Sequence, residues 1–169
     1  MSETAALAEV RSLITRLPPP ADEVRGAVEM LAYRSRIMLF VLQQYEDRGD
    51  IQIEDVQWEH MMPQTPTEYW YTAAGTREAA AYARLVNNIG NIAPLDANTN
   101  IVGRNDDWPT KCRLYAENVP NWLIADIARK NPDGWTPAKI RLRAKRIAEW
   151  AVTERWNLPG LLSRLPSVR

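Results

Sequence analysis

Apolar residues recur at helical spacing along most of the chain, and this pattern predicts a mostly helical protein. The first predicted helix covers residues 5–17, with apolar side chains three or four positions apart, and Pro18-Pro19-Pro20 ends it. A second helix begins near Asp22 and continues to about Arg48, where Gly49-Asp50 stops it. We interpret both helices as scaffold.

The C-terminal part has the same periodicity. Residues 108–117 and 120–130 are predicted helices. The last long helix starts after Thr136, a good N-cap residue, with Pro137 at its first position. Its apolar side chains form one stripe that is predicted to be buried: Ile140, Ala144, Ile147 and Ala151.

One short segment in the middle of the chain alternates as a strand does. Residues 55–60 place Val56 and Trp58 on one face, and Pro63 ends the strand soon afterwards. Regular alternation sends Glu59 and His60 to opposite faces. At the frayed end of a strand, both side chains can face the same site.

A second strand and a helix are predicted further along. Residues 89–95 are an apolar run with Gly90 near its start, and Asp96 is a candidate N-cap that puts Asn100 in the first turns of a helix. An Ala-rich helix is predicted at 76–86, and the aromatic residues at 69–71 are expected to pack in the core or over the site. The fold class is therefore α+β, mostly helical.

The length of 169 residues favours one domain with one sizeable core. We assign residues 1–20 to an N-terminal helix and its proline-rich linker, 21–157 to a helical domain, and 158–169 to a C-terminal tail. No apolar run approaches the roughly 20 residues of a membrane span, and no secretory signal begins the chain. Cys112 is the single cysteine, which excludes an internal disulfide and a cysteine-based zinc site. These features predict a cytoplasmic protein.

The charge is distributed unevenly, although the net charge is zero. Residues 1–100 contain 8 Lys or Arg and 14 Asp or Glu, whereas residues 101–169 contain 13 and 7. The basic half is a candidate surface for phosphates, with ordinary solvated helix faces as the alternative. Arg104 is one plausible phosphate contact, and the basic side chains of the last helix, including Arg143, form a possible track.

His60 is the only histidine in the chain and follows Glu59 directly. A lone histidine is most often a surface or core residue, but a neutral imidazole can also take a proton from water near pH 7. Glu59 and Asn100 provide oxygen ligands of the kind that Mg²⁺ or Mn²⁺ prefers. Asp96 and Asn98 remain alternative ligands by spacing alone.

Several short motifs together resemble one family. They are Glu59-His60-x-x-Pro63-Gln64, Ile89-Gly90-Asn91-Ile92-x-x-Leu95, Asn100, Lys111-x-x-x-Tyr115, Trp135, Ile140, Arg143 and Trp156. Their order and spacing are similar to those of the HNH-type nuclease domain at the C-terminus of GmrSD-like restriction enzymes, which act against modified phage DNA. The resemblance covers roughly residues 30 to 156.

The resemblance implies a small ββα-metal core with several helices packed around it. It also implies that the Asn91 amide fixes the backbone that orients His60, and that Lys111, which matches a lysine of the family, contacts phosphate. Family members usually carry a nucleotide-handling domain upstream. This chain contains no Gly-rich phosphate loop, so no NTPase activity is assigned to it.

Our leading hypothesis is a metal-dependent DNA endonuclease of a restriction or phage-defence protein. His60 is the general base, Asn91 supports it, and Glu59 and Asn100 hold the ion. One alternative is a nucleic-acid-binding or regulatory module with the same shape and little or no turnover. Another is a helical interaction domain in which the position of His60 has no catalytic meaning.

Overall fold

Helices make up most of the described chain, and a small sheet lies among them. The structure is a computed structural model, which describes residues 20–46, 56–120 and 122–155. Its helices and strands are α1 Ala21–Glu29, α2 Arg36–Glu46, β1 Val56–His60, α3 Glu68–Ala74, α4 Ala79–Val86, β2 Ile92–Asp96, α5 Ala97–Gly103, α6 Trp108–Asn118, α7 Leu123–Lys130 and α8 Pro137–Trp150. A 3₁₀ turn, Ile89–Asn91, leads into β2, and a π-helical turn, Ala151–Arg155, follows α8.

The two strands form one antiparallel sheet that continues directly into a helix. Glu59 is paired with Ala93, and His60 with Ile92. Asp96 caps α5, because its Oδ1 accepts a hydrogen bond from the backbone N–H of Thr99 at 2.9 Å. The α+β class, the strand–strand–helix order and the cap are confirmed.

Strand β2 is buried on both faces and separates two apolar clusters. Ala93 and Leu95 belong to a cluster formed mainly by α3, α4, α6 and α7, whereas Ile92 belongs to a cluster formed mainly by α1, α2 and α8. The predicted stripe of α8 is buried. The sheet is therefore held from both sides, which fixes the position of the end of β1.

The tryptophans of the first cluster are part of the core. The Trp108 and Trp135 rings stack with their centroids 5.2 Å apart. The Trp108 indole donates to the carbonyl of Asn131 at 2.7 Å, and the buried Trp70 donates to the carbonyl of Asp106 at 2.9 Å. Each buried indole N–H thus has an acceptor, as a buried polar group requires. Core packing of the aromatic segment is confirmed for Trp70.

The continuous helix predicted over residues 22–48 is wrong, since α1 and α2 are separate. The backbone N–H of Tyr33 donates to the carbonyl of Asn87 at 2.7 Å, and that of Ile89 donates to the carbonyl of Leu31 at 3.0 Å. Arg34 then turns the chain at φ 73°. Pairing with a distant segment therefore outweighs the local helical periodicity here, and it brings Tyr33 beside the end of β1.

The 3₁₀ turn before β2 lies against the backbone of α8. A Cβ added at Gly90 would be 2.0 Å from the carbonyl oxygen of Ile140. Glycine at this position is what allows the turn to pack so closely. The predicted helix at 5–17 and the tail at 158–169 lie outside the described residues. None of the described helices has the length and apolar character needed to span a membrane.

Candidate active site

The imidazole of His60 lies at the end of β1, mostly buried, with 9% of the residue exposed. The Tyr33 ring packs against it in a T-shaped arrangement, with the centroids 4.4 Å apart and the planes at 74°. Nε2 lies 3.4 Å from Oδ1 of Asn87. Burial lowers the pKa of His60 to about 4, and the nearby Lys111 cation acts in the same direction, while the Asn87 contact opposes them. The ring is therefore neutral at pH 7 and can accept a proton.

The neighbouring carboxylate, Glu59, is bound by two residues of α6. Its Oε1 forms an ion pair with Nζ of Lys111 and accepts a hydrogen bond from the Tyr115 hydroxyl at 2.9 Å. Lys111 also donates to the carbonyl of His60 at 3.1 Å. Burial lowers the pKa of Lys111, against the effect of Glu59, and raises that of Tyr115. Two consecutive residues of β1 are thus fixed by one buried lysine.

A cleft of about 560 Å³, which we call the His60 cleft, opens beside these side chains. Glu59 and His60 both line it, although the Glu59 carboxylate is bound by Lys111 and Tyr115, neither of which lines the cleft. From α5 and the turn after it come Asn100, Arg104 and Asn105. Asn100 Nδ2 donates to Oε1 of Gln57 at 3.0 Å, and Arg104 is exposed at the rim. The structure therefore brings together four of the predicted site residues.

Asn91 is fully buried and does not line this cleft. Its Oδ1 accepts hydrogen bonds from the N–H of Met62 at 2.8 Å and the indole of Trp135 at 2.9 Å. Its Nδ2 donates to the carbonyls of Met62 and Val86, each at 2.8 Å. All the hydrogen-bonding capacity of the amide is used. The side chain therefore supports the backbone that follows His60.

Two predicted phosphate contacts, Lys111 and Arg143, lie in the interior instead. Lys111 is 0% exposed and Arg143 is 6% exposed. Nη1 of Arg143 donates to the carbonyls of Ile89, Gly90 and Ile92 at 3.2, 3.1 and 2.6 Å. A buried cation needs hydrogen-bond acceptors around it, and both Lys111 and Arg143 have such acceptors within the protein. Their visible contacts hold the two strands rather than offer charge at a surface.

A comparison with known families adds a finding to this geometry. The model of the GmrSD restriction endonucleases, C-terminal domain, matches residues 29–150. The chain belongs to this family. The GmrSD C-terminal domain is a restriction-endonuclease-related nuclease domain, whose substrate is DNA. The resemblance derived from the short motifs is confirmed. Neither the curated proteins nor the solved structures provide a significant match.

Several residues of the GmrSD C-terminal domain at this cleft were not predicted from the sequence. Gln57 and Asn105 line it, and Asn87 contacts His60. Asn105 follows Asn100 closely between two helices, and that polar stretch was a usable signal. No sequence signal marked Asn87 or Gln57, because their roles depend on which distant side chain lies beside them.

The side chains that line the cleft determine which kind of metal ion it could hold. Among the described residues, no group of three or more His, Cys, Asp or Glu could hold a metal ion. The residues that line the cleft include one with a carboxylate, Glu59, and four with amides, Gln57, Gln64, Asn100 and Asn105. Thiolate sites are excluded here, whereas hard, largely hydrated cations are compatible with such ligands.

Proposed function

We propose that this domain is a metal-dependent, cytoplasmic DNA endonuclease of the HNH type, which nicks or cleaves duplex DNA. In this proposal β1, β2 and α5 form a ββα-metal core. The observation that carries it is that Glu59, His60 and Asn100 all line one cleft of about 560 Å³. A cleft of this volume is in the range of ligand sites.

His60 would act as the general base. The imidazole is neutral at pH 7, so a ring nitrogen has a lone pair for a proton from water. Burial lowers the pKa and therefore makes the ring a weaker base in the substrate-free protein. The water oxygen forms a bond to phosphorus, the bond from phosphorus to the 3′ oxygen breaks, and the departing oxygen takes up a proton from solvent. A phosphodiester in the cleft would raise the pKa of His60, because nearby negative charge favours the imidazolium.

Glu59 and Asn100 would hold Mg²⁺ or Mn²⁺. Asn100 uses Nδ2 for its bond to Gln57, which leaves Oδ1 as a ligand. Glu59 uses Oε1 for Lys111 and Tyr115, so Oε2 is the oxygen left for the ion. One carboxylate already offset by a lysine fits an ion held largely by water and phosphate. The bound ion would polarise the phosphate and stabilise the departing oxygen.

The DNA would lie across the mouth of the His60 cleft. Arg104 lines the cleft and is exposed, so its guanidinium can pair with a phosphate. Arg141, Lys145 and Arg146 of α8 are also exposed and belong to the basic C-terminal half of the chain. In this proposal the substrate is duplex DNA, including modified phage DNA, and an upstream NTPase or sensor domain of the same protein controls cleavage.

One observation favours a second candidate function. The ion pair between Glu59 and Lys111 neutralises the carboxylate, and the other cleft donors are uncharged amides. A site of this kind holds a cation weakly. The alternative is therefore a nucleic-acid-binding or regulatory module, which binds DNA in a salt-dependent way and turns over slowly or not at all.

The deciding experiment is a nicking assay on supercoiled plasmid. Wild-type protein is incubated with Mg²⁺, with Mn²⁺ or with EDTA, beside His60→Ala and the control Asn118→Ala. Asn118 is exposed at the end of α6 and lies outside the His60 cleft. We expect nicking by wild type and control with metal, none with EDTA, and none by folded His60→Ala.

Other outcomes separate the hypotheses. Nicking by folded His60→Ala at the wild-type rate would contradict the role of His60. Activity that does not respond to EDTA would contradict the metal. Salt-dependent DNA binding without nicking in any metal would favour the binding module.

A further inference from the structure

Asn87 lies between two polar side chains of the His60 cleft. Its Oδ1 is 3.4 Å from Nε2 of His60, and it accepts a hydrogen bond from Nε2 of Gln64 at 3.0 Å. Among the described residues, Asn87 is the one hydrogen-bond partner of the imidazole. Neither the motifs of the sequence nor the roles proposed above include it.

The backbone of Asn87 is held independently of this contact. Its N–H donates to the carbonyl of Ala83 at 3.2 Å, at the end of α4. Its carbonyl accepts from the N–H of Tyr33 at 2.7 Å. The side chain therefore projects from a fixed point, and the segment that fixes it also carries the Tyr33 ring that packs on His60.

The chemistry of the amide determines which nitrogen of His60 carries the proton. A carbonyl oxygen only accepts, so Nε2 must donate to it, and a neutral imidazole has a single N–H. The lone pair is then on Nδ1. In this orientation of the amide, the same oxygen also accepts from the NH₂ group of Gln64.

We infer that Asn87 is a positioning residue that holds the proton of His60 on Nε2 and leaves Nδ1 as the proton acceptor. The imidazole cannot rotate freely, because the Tyr33 ring packs against it in a T-shaped arrangement. The catalytic meaning of this arrangement rests on the proposed function. Loss of alignment of a general base costs up to about a hundredfold in rate.

The single histidine of the chain makes the tautomer directly measurable. In metal-free, histidine-labelled protein at about pH 8.5, well above the ordinary histidine pKa of about 6.5, the ¹⁵N shifts of the neutral ring distinguish a protonated nitrogen from one with a lone pair. We expect the proton on Nε2 in the wild type. A proton on Nδ1 in the folded wild type would overturn the inference without any variant.

Variants at the same position test the cause. Asn87→Leu removes the acceptor, and we expect a mixture of tautomers and a nicking rate reduced about 10- to 100-fold. Asn87→Asp keeps an acceptor oxygen, and we expect it to restore the Nε2–H tautomer and much of the rate. Asn118→Leu is the matched control, with no change in either. An unchanged tautomer in folded Asn87→Leu would contradict the inference.

The two readouts separate this inference from the proposed nuclease. If the tautomer depends on Asn87 while no variant or wild type nicks DNA, Asn87 positions His60 and the nuclease proposal fails. If nicking requires His60 while Asn87→Leu changes neither tautomer nor rate, the nuclease proposal stands and the positioning role fails.

Discussion

Asn91 and Met62 exchange two hydrogen bonds: the N–H of Met62 donates to Oδ1 of Asn91 at 2.8 Å, and Nδ2 of Asn91 donates to the carbonyl of Met62 at 2.8 Å. The Asn91 side chain thus makes the two backbone hydrogen bonds to Met62 that a neighbouring strand would otherwise make. The remaining valences of the amide bind Trp135 and Val86. The loop after β1 is therefore tied to the core by one amide.

Replacing Asn91 with leucine is expected to destabilise the domain strongly. It leaves the N–H and carbonyl of Met62, the carbonyl of Val86 and the indole N–H of Trp135 without their partner. Each of the four unpaired buried groups costs about 1–3 kcal/mol, so we expect a loss of at least about 4 kcal/mol in the free energy of unfolding, measured by urea denaturation. Asn98→Leu, at an exposed position, should change it by less than about 0.5 kcal/mol. Equal effects of the two variants would contradict the role of Asn91.

Lys111→Met is expected to cost about 3–5 kcal/mol of stability, because it leaves the buried Glu59 carboxylate without its cation. Glu59→Gln removes the charge, so the double variant should be more stable than Lys111→Met alone. Thermal and urea denaturation of the four proteins gives the coupling between the two positions. Additive effects would show that the two side chains do not stabilise each other.

The lowered pKa of His60 makes the stability of the metal-free protein depend on pH. Between about pH 4 in the folded state and about 6.5 in the unfolded state, the unfolded chain binds more protons. The free energy of unfolding therefore rises with pH across this window and decreases as the pH falls through it. The total change is up to about 3 kcal/mol, since one pKa unit corresponds to about 1.4 kcal/mol. Urea denaturation in EDTA should give a flatter pH dependence for His60→Leu. The same slope in both proteins would show that His60 does not titrate in this way.

Two glycines should respond oppositely to alanine. At Gly90, the added Cβ would lie 2.0 Å from the Ile140 carbonyl oxygen, so we expect a loss of about 3 kcal/mol or an unfolded domain. At Gly26, within α1, nothing lies within 4 Å of the Cβ, and alanine should stabilise the helix by about 0.5–1 kcal/mol. Thermal denaturation measures both. Tolerance of Gly90→Ala would contradict the close packing of the turn on α8.

Arg104→Ala is expected to weaken DNA binding and its dependence on salt. If the guanidinium neutralises one phosphate, the slope of log K against log salt should fall by about 0.9. Fluorescence anisotropy with labelled duplex DNA measures it. Arg129→Ala is the control, since Arg129 lies at the end of α7, outside the His60 cleft. An unchanged slope for Arg104→Ala would remove Arg104 from the DNA interface.

Local patterns determined much of this protein. Alternation predicted β1, Asp96 was identifiable as the cap of α5, and the spacing of Ile140 and Ile147 predicted the buried face of α8. The motifs around His60 were sufficient to indicate the family. These features depend on neighbours within a few positions along the chain, where backbone geometry relates spacing directly to direction.

Only the tertiary structure decided what the polar side chains contact. Lys111 and Arg143, which were expected at the DNA surface, are buried. Asn87, an uncharged residue that belongs to no motif, lies against His60. The break between α1 and α2 likewise arises from pairing with residues 87–89. Such contacts join positions far apart in the chain, and the type of a side chain does not specify whether water or another segment will satisfy it.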